Sequence, residues 1–173
     1  MSKIALKKKL QSLTNEQMIE TVLEMYDKLK PVKEYLEYYL NPNEKEMFEK
    51  YKTIIVNEFY PKGKTAQPKT RFSVAKKAIA DFKALKPSPE LLGDLMLTLP
   101  EMACQFTCDY GDMWEQYYES ASTNFKIALN YLERNKLLDN FKLRCESCLE
   151  NASHCGYGFE YEIAELFYEH YNE

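Results

Sequence analysis

Apolar residues return every three or four positions along almost the whole chain, the period of helices with one buried face. Leu6, Leu10 and Leu13 form a first short stripe, and Met18, Val22, Tyr26 and Leu29 a second. Between them Thr14-Asn-Glu-Gln17 reads as a capping box, the Thr hydroxyl and the Gln side chain each meeting a free amide at a helix start. Pro31 ends that helix or opens the next, which carries Val32, Leu36 and Leu40. After Asn41-Pro-Asn43, with Asn43 and Glu46 as a second box-like start, comes the stripe Phe48, Tyr51, Ile55, Phe59, closed by Pro61.

Residues 61–70 show no period and carry two prolines and a glycine, the signature of a linker. Helix resumes near Arg71 and runs to about Leu85. Ser88-Pro89-Glu90 starts another, with Leu92, Leu95, Leu99, Met102 and Phe106 on its stripe. Pro100 is expected to kink or split it. Asp112 with Glu115 reads as a further cap, before Trp114, Tyr118, Ala121, Phe125, Ala128 and Leu132. Asn135-Lys136 breaks that helix; Leu138, Phe141, Cys145, Cys148 and Ala152 follow on the next. A turn over 153–158 precedes a last helix bearing Phe159, Ile163, Leu166 and His170. The pattern predicts an all-α protein of eight or nine helices, in antiparallel hairpins forming a bundle or a short α-α superhelix. One domain over 1–173 is the simplest reading, with a subdivision into hairpins over 1–60, a linker at 61–70 and a bundle over 71–173. No fixed-period repeat occurs.

Composition sharpens the class. Aromatic residues at 14% argue against disorder, and few Gly and Pro argue against a β-sandwich. No secretory leader follows the N-terminal lysines and no apolar run is long enough for a membrane span, so the expected location is the cytoplasm. Five cysteines cannot all pair within the chain. Charge is uneven. Residues 1–60 balance; 61–86 carry eight basic groups against Asp81; 87–173 carry five basic groups against sixteen acids. Lys62, Lys64, Lys69, Arg71, Lys76 and Lys77 are therefore candidate partner-binding groups, with phosphates as one target and Phe72 as a stacking face. The blander alternative sets this stretch against the chain's own acidic helices. Scarce arginine weighs against nucleic acid.

Cys145-x-x-Cys148, followed by His154 and Cys155, has metal-ligand residue types at short spacing, and Cys104 with Cys108 adds a second pair. Cys145 and Cys148 also share a stripe with Phe141 and Ala152, which makes them small core residues. A redox pair is disfavoured, because the motif lies inside a helix. Two histidines, without triad, Walker or Gly-x-Gly-x-x-Gly motifs, leave little for catalysis. Tyrosine clusters at 35–39, 117–118 and 157–171 place aromatic area at helix seams or on the surface. The leading reading is a non-enzymatic scaffold or protein-binding module without cofactor or membrane partner; nucleic acid binding over 61–86 and a cysteine metal or redox site are the alternatives.

Three segments together carry a resemblance: Leu13-Thr-Asn-Glu-Gln-Met-Ile-Glu20, Val32-Lys-Glu-Tyr-Leu-Glu-Tyr-Tyr-Leu-Asn-Pro-Asn-Glu44 and Gly156-Tyr-Gly-Phe-Glu-Tyr-Glu-Ile163. They resemble an uncharacterised bacterial family catalogued as a domain of unknown function. The resemblance implies a helical intracellular protein and brings no catalytic residues.

Overall fold

The computed structural model describes residues 2–153 and 155–171. These contain nine helices and no strand: α1 Lys3–Gln11, α2 Asn15–Lys28, α3 Lys30–Leu40, α4 Glu44–Phe59, α5 Phe72–Ala84, α6 Pro89–Tyr110, α7 Glu115–Arg134, α8 Leu138–Ala152 and α9 Phe159–Tyr171. The chain forms two compact units, Met1–Asn43 and Glu44–Glu173.

In the first unit the Thr14 capping box forms as read: Gln17 N donates to Thr14 Oγ1 at 3.2 Å and Thr14 N to Gln17 Oε1 at 3.0 Å. Pro31 stands in the first turn of α3, where its missing N–H costs nothing. α2 and α3 pair as a hairpin, with Tyr26 Oη donating to Glu37 Oε1 at 3.0 Å. No residue of α1, α2 or α3 is buried.

The second unit holds the core. α6 packs against α4, α5, α7 and α8, and α9 packs against α7 and α8. The buried apolar side chains of α4, Phe48, Tyr51, Ile55 and Phe59, follow one stripe, whereas α7 buries Tyr118, Ala121, Phe125, Ala128 and Leu132 and, beside them, Tyr117, Ser122, Asn124 and Leu129. α6 differs. Leu92, Leu95, Leu97, Leu99, Ala103, Cys104 and Phe106 are buried all round it, the mark of a central helix. Pro100 lies buried within α6, which continues unbroken from Pro89 to Tyr110, so the expected split does not occur. Neighbours on several faces hold both halves in place across the missing hydrogen bond. Gly93 lets α7 approach, because a Cβ there would stand 2.7 Å from Leu132 Cδ2.

The stop after α7 is a Schellman turn: Lys136 takes φ +58°, with Leu137 N donating to Leu132 O and Lys136 N to Glu133 O. Asp112 does not cap α7, whose N-cap is Trp114. α7 and α9 run in the same direction, since Tyr118 stacks on Phe159 near their starts and His170 Nε2 lies 4.0 Å from Glu133 near their ends.

Candidate functional site

The cysteines do not assemble a ligand cage. Cys104, Cys145 and Cys148 are buried, Cys155 is half-buried and Cys108 is exposed. Cys148 meets Cys104, and that hydrogen bond, with burial, holds the Cys148 thiol well above its usual range. Burial pushes the Cys145 thiol up to about 11, although it accepts a 3.5 Å hydrogen bond from Tyr171 Oη. Cys155 Sγ instead donates to Thr107 Oγ1 at 3.3 Å. A metal thiolate needs the opposite shift. Among the described residues no three His, Cys, Asp or Glu side chains converge in an arrangement that would hold a metal ion. His154 lies outside the described residues.

The basic candidates divide. Arg71 is committed to Glu58, donating from Nε to Oε2 at 2.9 Å and from the guanidinium to Oε1 at 2.7 Å. Glu58 is buried, its carboxylate also accepts Arg71 N, and its carbonyl oxygen accepts Lys69 N and Thr70 N. This carboxylate therefore fastens the end of the 61–70 stretch to α4. Lys77 pairs with Asp81 at 2.5 Å. Lys62, Lys64, Lys69 and Lys76 are exposed, and Lys69 adds its positive field at Glu58. No ion pair among the described residues joins these six side chains to the acidic 87–173 region.

A different surface is built at the corner where α6 ends and α7 begins. Ten rings form one connected network there: Phe59, Tyr60, Phe72, Phe106, Tyr110, Trp114, Tyr117, Tyr118, Tyr157 and Phe159. Its base is buried and its polar heads are satisfied. Tyr117 Oη donates to Ala103 O at 3.0 Å, Tyr60 Oη to Asp109 Oδ2 at 2.7 Å and Tyr118 Oη to Asp112 Oδ1. Burial first, then these carboxylates, raise the Tyr60 and Tyr118 hydroxyls above their ordinary range. The Tyr118 bond holds the Asp112 carboxyl below its own.

Three rings of this network open to solvent: Tyr110 at 61%, Trp114 at 55% and Tyr157 at 67% exposure. Tyr110 stacks on Phe106 with centroids 4.5 Å apart, Trp114 stands edge-on to Tyr117 at 5.5 Å, and Tyr157 tilts over Tyr118 at 6.1 Å. Each is thus an exposed ring on a buried one. Asp109 and Asp112 bring negative charge to the corner, where the end of α6 meets the starts of α7 and α9. Along the α7–α9 seam, a groove of about 470 Å³ is lined by Lys126, Ile127 and Asn130 facing Glu162, Glu165 and Glu169.

The hydrophobic period gives no sign of Tyr60 or Tyr110 as site residues, and it sets Trp114 in series with Tyr118 and Phe125. The Gly111-Asp112 break just before Trp114 is the available signal that this ring sits at a helix start, outside the packed turns.

The model of a family of unknown function (DUF6155) matches residues 1–171. The chain belongs to that family. Comparison with curated proteins and with solved structures found no match. Two of the segments that suggested this family have a structural role here. The Thr14 box starts α2, and Gly156 to Phe159 shapes the turn that carries Tyr157. Gly156 N donates to Asp112 Oδ1 at 3.1 Å, and a Cβ on Gly156 would meet Asp112 Oδ2 at 2.8 Å. Tyr157 takes φ +56° and Gly158 φ +75°, which turns the Tyr157 ring onto Tyr118. This member of the family thus uses its Gly-Tyr-Gly-Phe segment to complete the aromatic corner.

Proposed function

We propose that this protein is a non-catalytic, cytoplasmic helical module that binds a polypeptide bearing Lys or Arg side chains, on the aromatic corner and the α7–α9 groove. The observation that carries the reading is the exposure of Tyr110, Trp114 and Tyr157 on rings that fix them from below. Rigid aromatic anchors bring contact area with little loss of entropy, and hot spots are enriched in Trp and Tyr. The class of partner follows from charge. Ring faces attract ammonium and guanidinium groups, and the α7–α9 groove is lined by Glu162, Glu165 and Glu169 with Lys126 as its one basic group. Five free thiols, three of them buried, fit a reducing compartment.

The test uses Trp114, the single tryptophan, as reporter. Basic, neutral and acidic peptides of equal length are titrated against the full chain by fluorescence and calorimetry. Saturable binding of the basic set, weakened about tenfold or more by Trp114→Ala and by Tyr157→Ala, is expected. If no peptide saturates, or if both variants bind as wild type does, the reading fails. A single-stranded oligonucleotide forms a further arm. The exposed Lys62, Lys64 and Lys76 supply a rival surface, and binding only to the oligonucleotide, steeply weakened by salt, would favour it over the peptide reading.

A further inference from the structure

The N-terminal unit has helices but no interior. Three helices spanning residues 3–40 bury no side chain, whereas every helix of the second unit does. The sequence pattern of α2 and α3 is nonetheless that of packed helices. Their apolar faces are wide, and Ile19, Leu23, Leu29, Tyr39 and Leu40 remain between 49% and 72% exposed. A helix with such a face gains its stability from covering it. Forty-three residues are also about the lower limit for a unit that holds itself together without a partner.

We infer that the α2–α3 hairpin is a dimerisation surface, with the hairpin of a second copy of this chain as its occupant. The area is sufficient. The exposed large apolar side chains of the hairpin offer on the order of 1,000 Å² on each copy, against the ~800 Å² per partner of a standard stable interface. The shape is suitable. The hairpin is already braced by the Tyr26–Glu37 hydrogen bond and by the Lys33 ammonium 5.2 Å from the Tyr26 ring centre. Two such hairpins meeting face to face about a two-fold axis make a four-helix bundle with an apolar centre.

Charge also permits self-association. Residues 1–43 carry seven lysines and six acids, so two copies do not oppose one another with a single sign. A lipid surface is the wrong occupant for the same face. Residues 15–40 carry six acids against three lysines, and an anionic leaflet would repel them.

Light scattering and sedimentation velocity on the full chain test this. The expected mass is twice 20.4 kDa, dissociating on dilution. Leu23→Glu and Tyr39→Glu each place a charge in the interface and should weaken dimerisation about tenfold or more without loss of helical signal. Leu143→Glu alters a leucine on α8 that is more exposed than Leu23, 79% against 56%, and should leave the dimer intact. Hydrogen exchange on the wild type needs no variant, and protection of residues 15–40 should rise with protein concentration. A monomer at every concentration, exchange over 15–40 independent of concentration, or equal dimerisation of the Glu variants and the wild type would each overturn the inference. Peptide binding at Trp114 is read separately, so the two proposals fail independently.

Discussion

Replacing Arg144 with methionine should cost the second unit about 2 kcal/mol of stability. Arg144 reaches from α8 into α6, where Nε donates to Glu101 Oε1 at 2.6 Å and a terminal nitrogen to Asp94 Oδ1 at 2.8 Å. The other terminal nitrogen donates to Glu101 Oε2 and to Thr98 Oγ1. Desolvation opposes the guanidinium charge, but the Glu101 and Asp94 bonds outweigh it and raise its basicity further. Methionine keeps most of the apolar stem and removes every donor. Breaking a fully buried pair from one side costs ~3–5 kcal/mol, because a carboxylate is left uncompensated. Here the side chains of Arg144, Asp94 and Glu101 retain 29%, 25% and 18% exposure, so water reaches part of the site. Lys52, 3.7 Å from Asp94, also keeps one acid partnered. Both effects lower the figure to about 2 kcal/mol, or roughly 4–8 °C in Tm for a chain of this length. Urea unfolding followed by circular dichroism and Trp114 fluorescence measures it. The control is Arg144→Met with Glu101→Met, which removes the stranded charge and should recover at least half the loss. An Arg144→Met protein as stable as wild type, or a double variant showing no recovery, would refute the reasoning.

Glu58 supplies a pH dependence. The Arg71 hydrogen bond lowers its carboxyl below the usual value, against desolvation, so its contribution to stability is present above the unfolded-state pKa and is lost as pH falls through the folded one. Glu58→Gln should therefore flatten the fall in urea midpoint below about pH 4, and an unchanged acid limb would count against the Glu58–Arg71 clamp. The thiols should react in order of exposure. Cys108 should label with a thiol reagent in the native protein, Cys155 more slowly, and Cys104, Cys145 and Cys148 only on unfolding, with peptide mass spectrometry assigning each site.

Helix number and the core stripe of α4 were legible because both depend on local period alone. Phe48, Tyr51, Ile55 and Phe59 are spaced for one face, and one face is what the neighbouring helices cover. The same spacing on α2 and its C-cap, with Met18, Val22 and Leu29, gives a stripe that the first unit does not bury. Period reports that a face exists and carries no information about what covers it. The candidate site was hidden for a related reason. Tyr118 and Trp114 sit four residues apart on one apparent stripe, yet Tyr118 is 2% exposed and Trp114 55%, because α7 begins between the two environments. The basic stretch shows the converse limit. Arg71 and Lys64 contribute equally to a charge count, but only Arg71 meets the buried carboxylate of Glu58, thirteen residues back, and that pairing follows from the path of residues 61–70 across α4. Side chains at the ends of elements, where the chain changes direction, are thus where this sequence was least readable. They are also where its exposed aromatic rings and the Arg71 partner of buried Glu58 are placed.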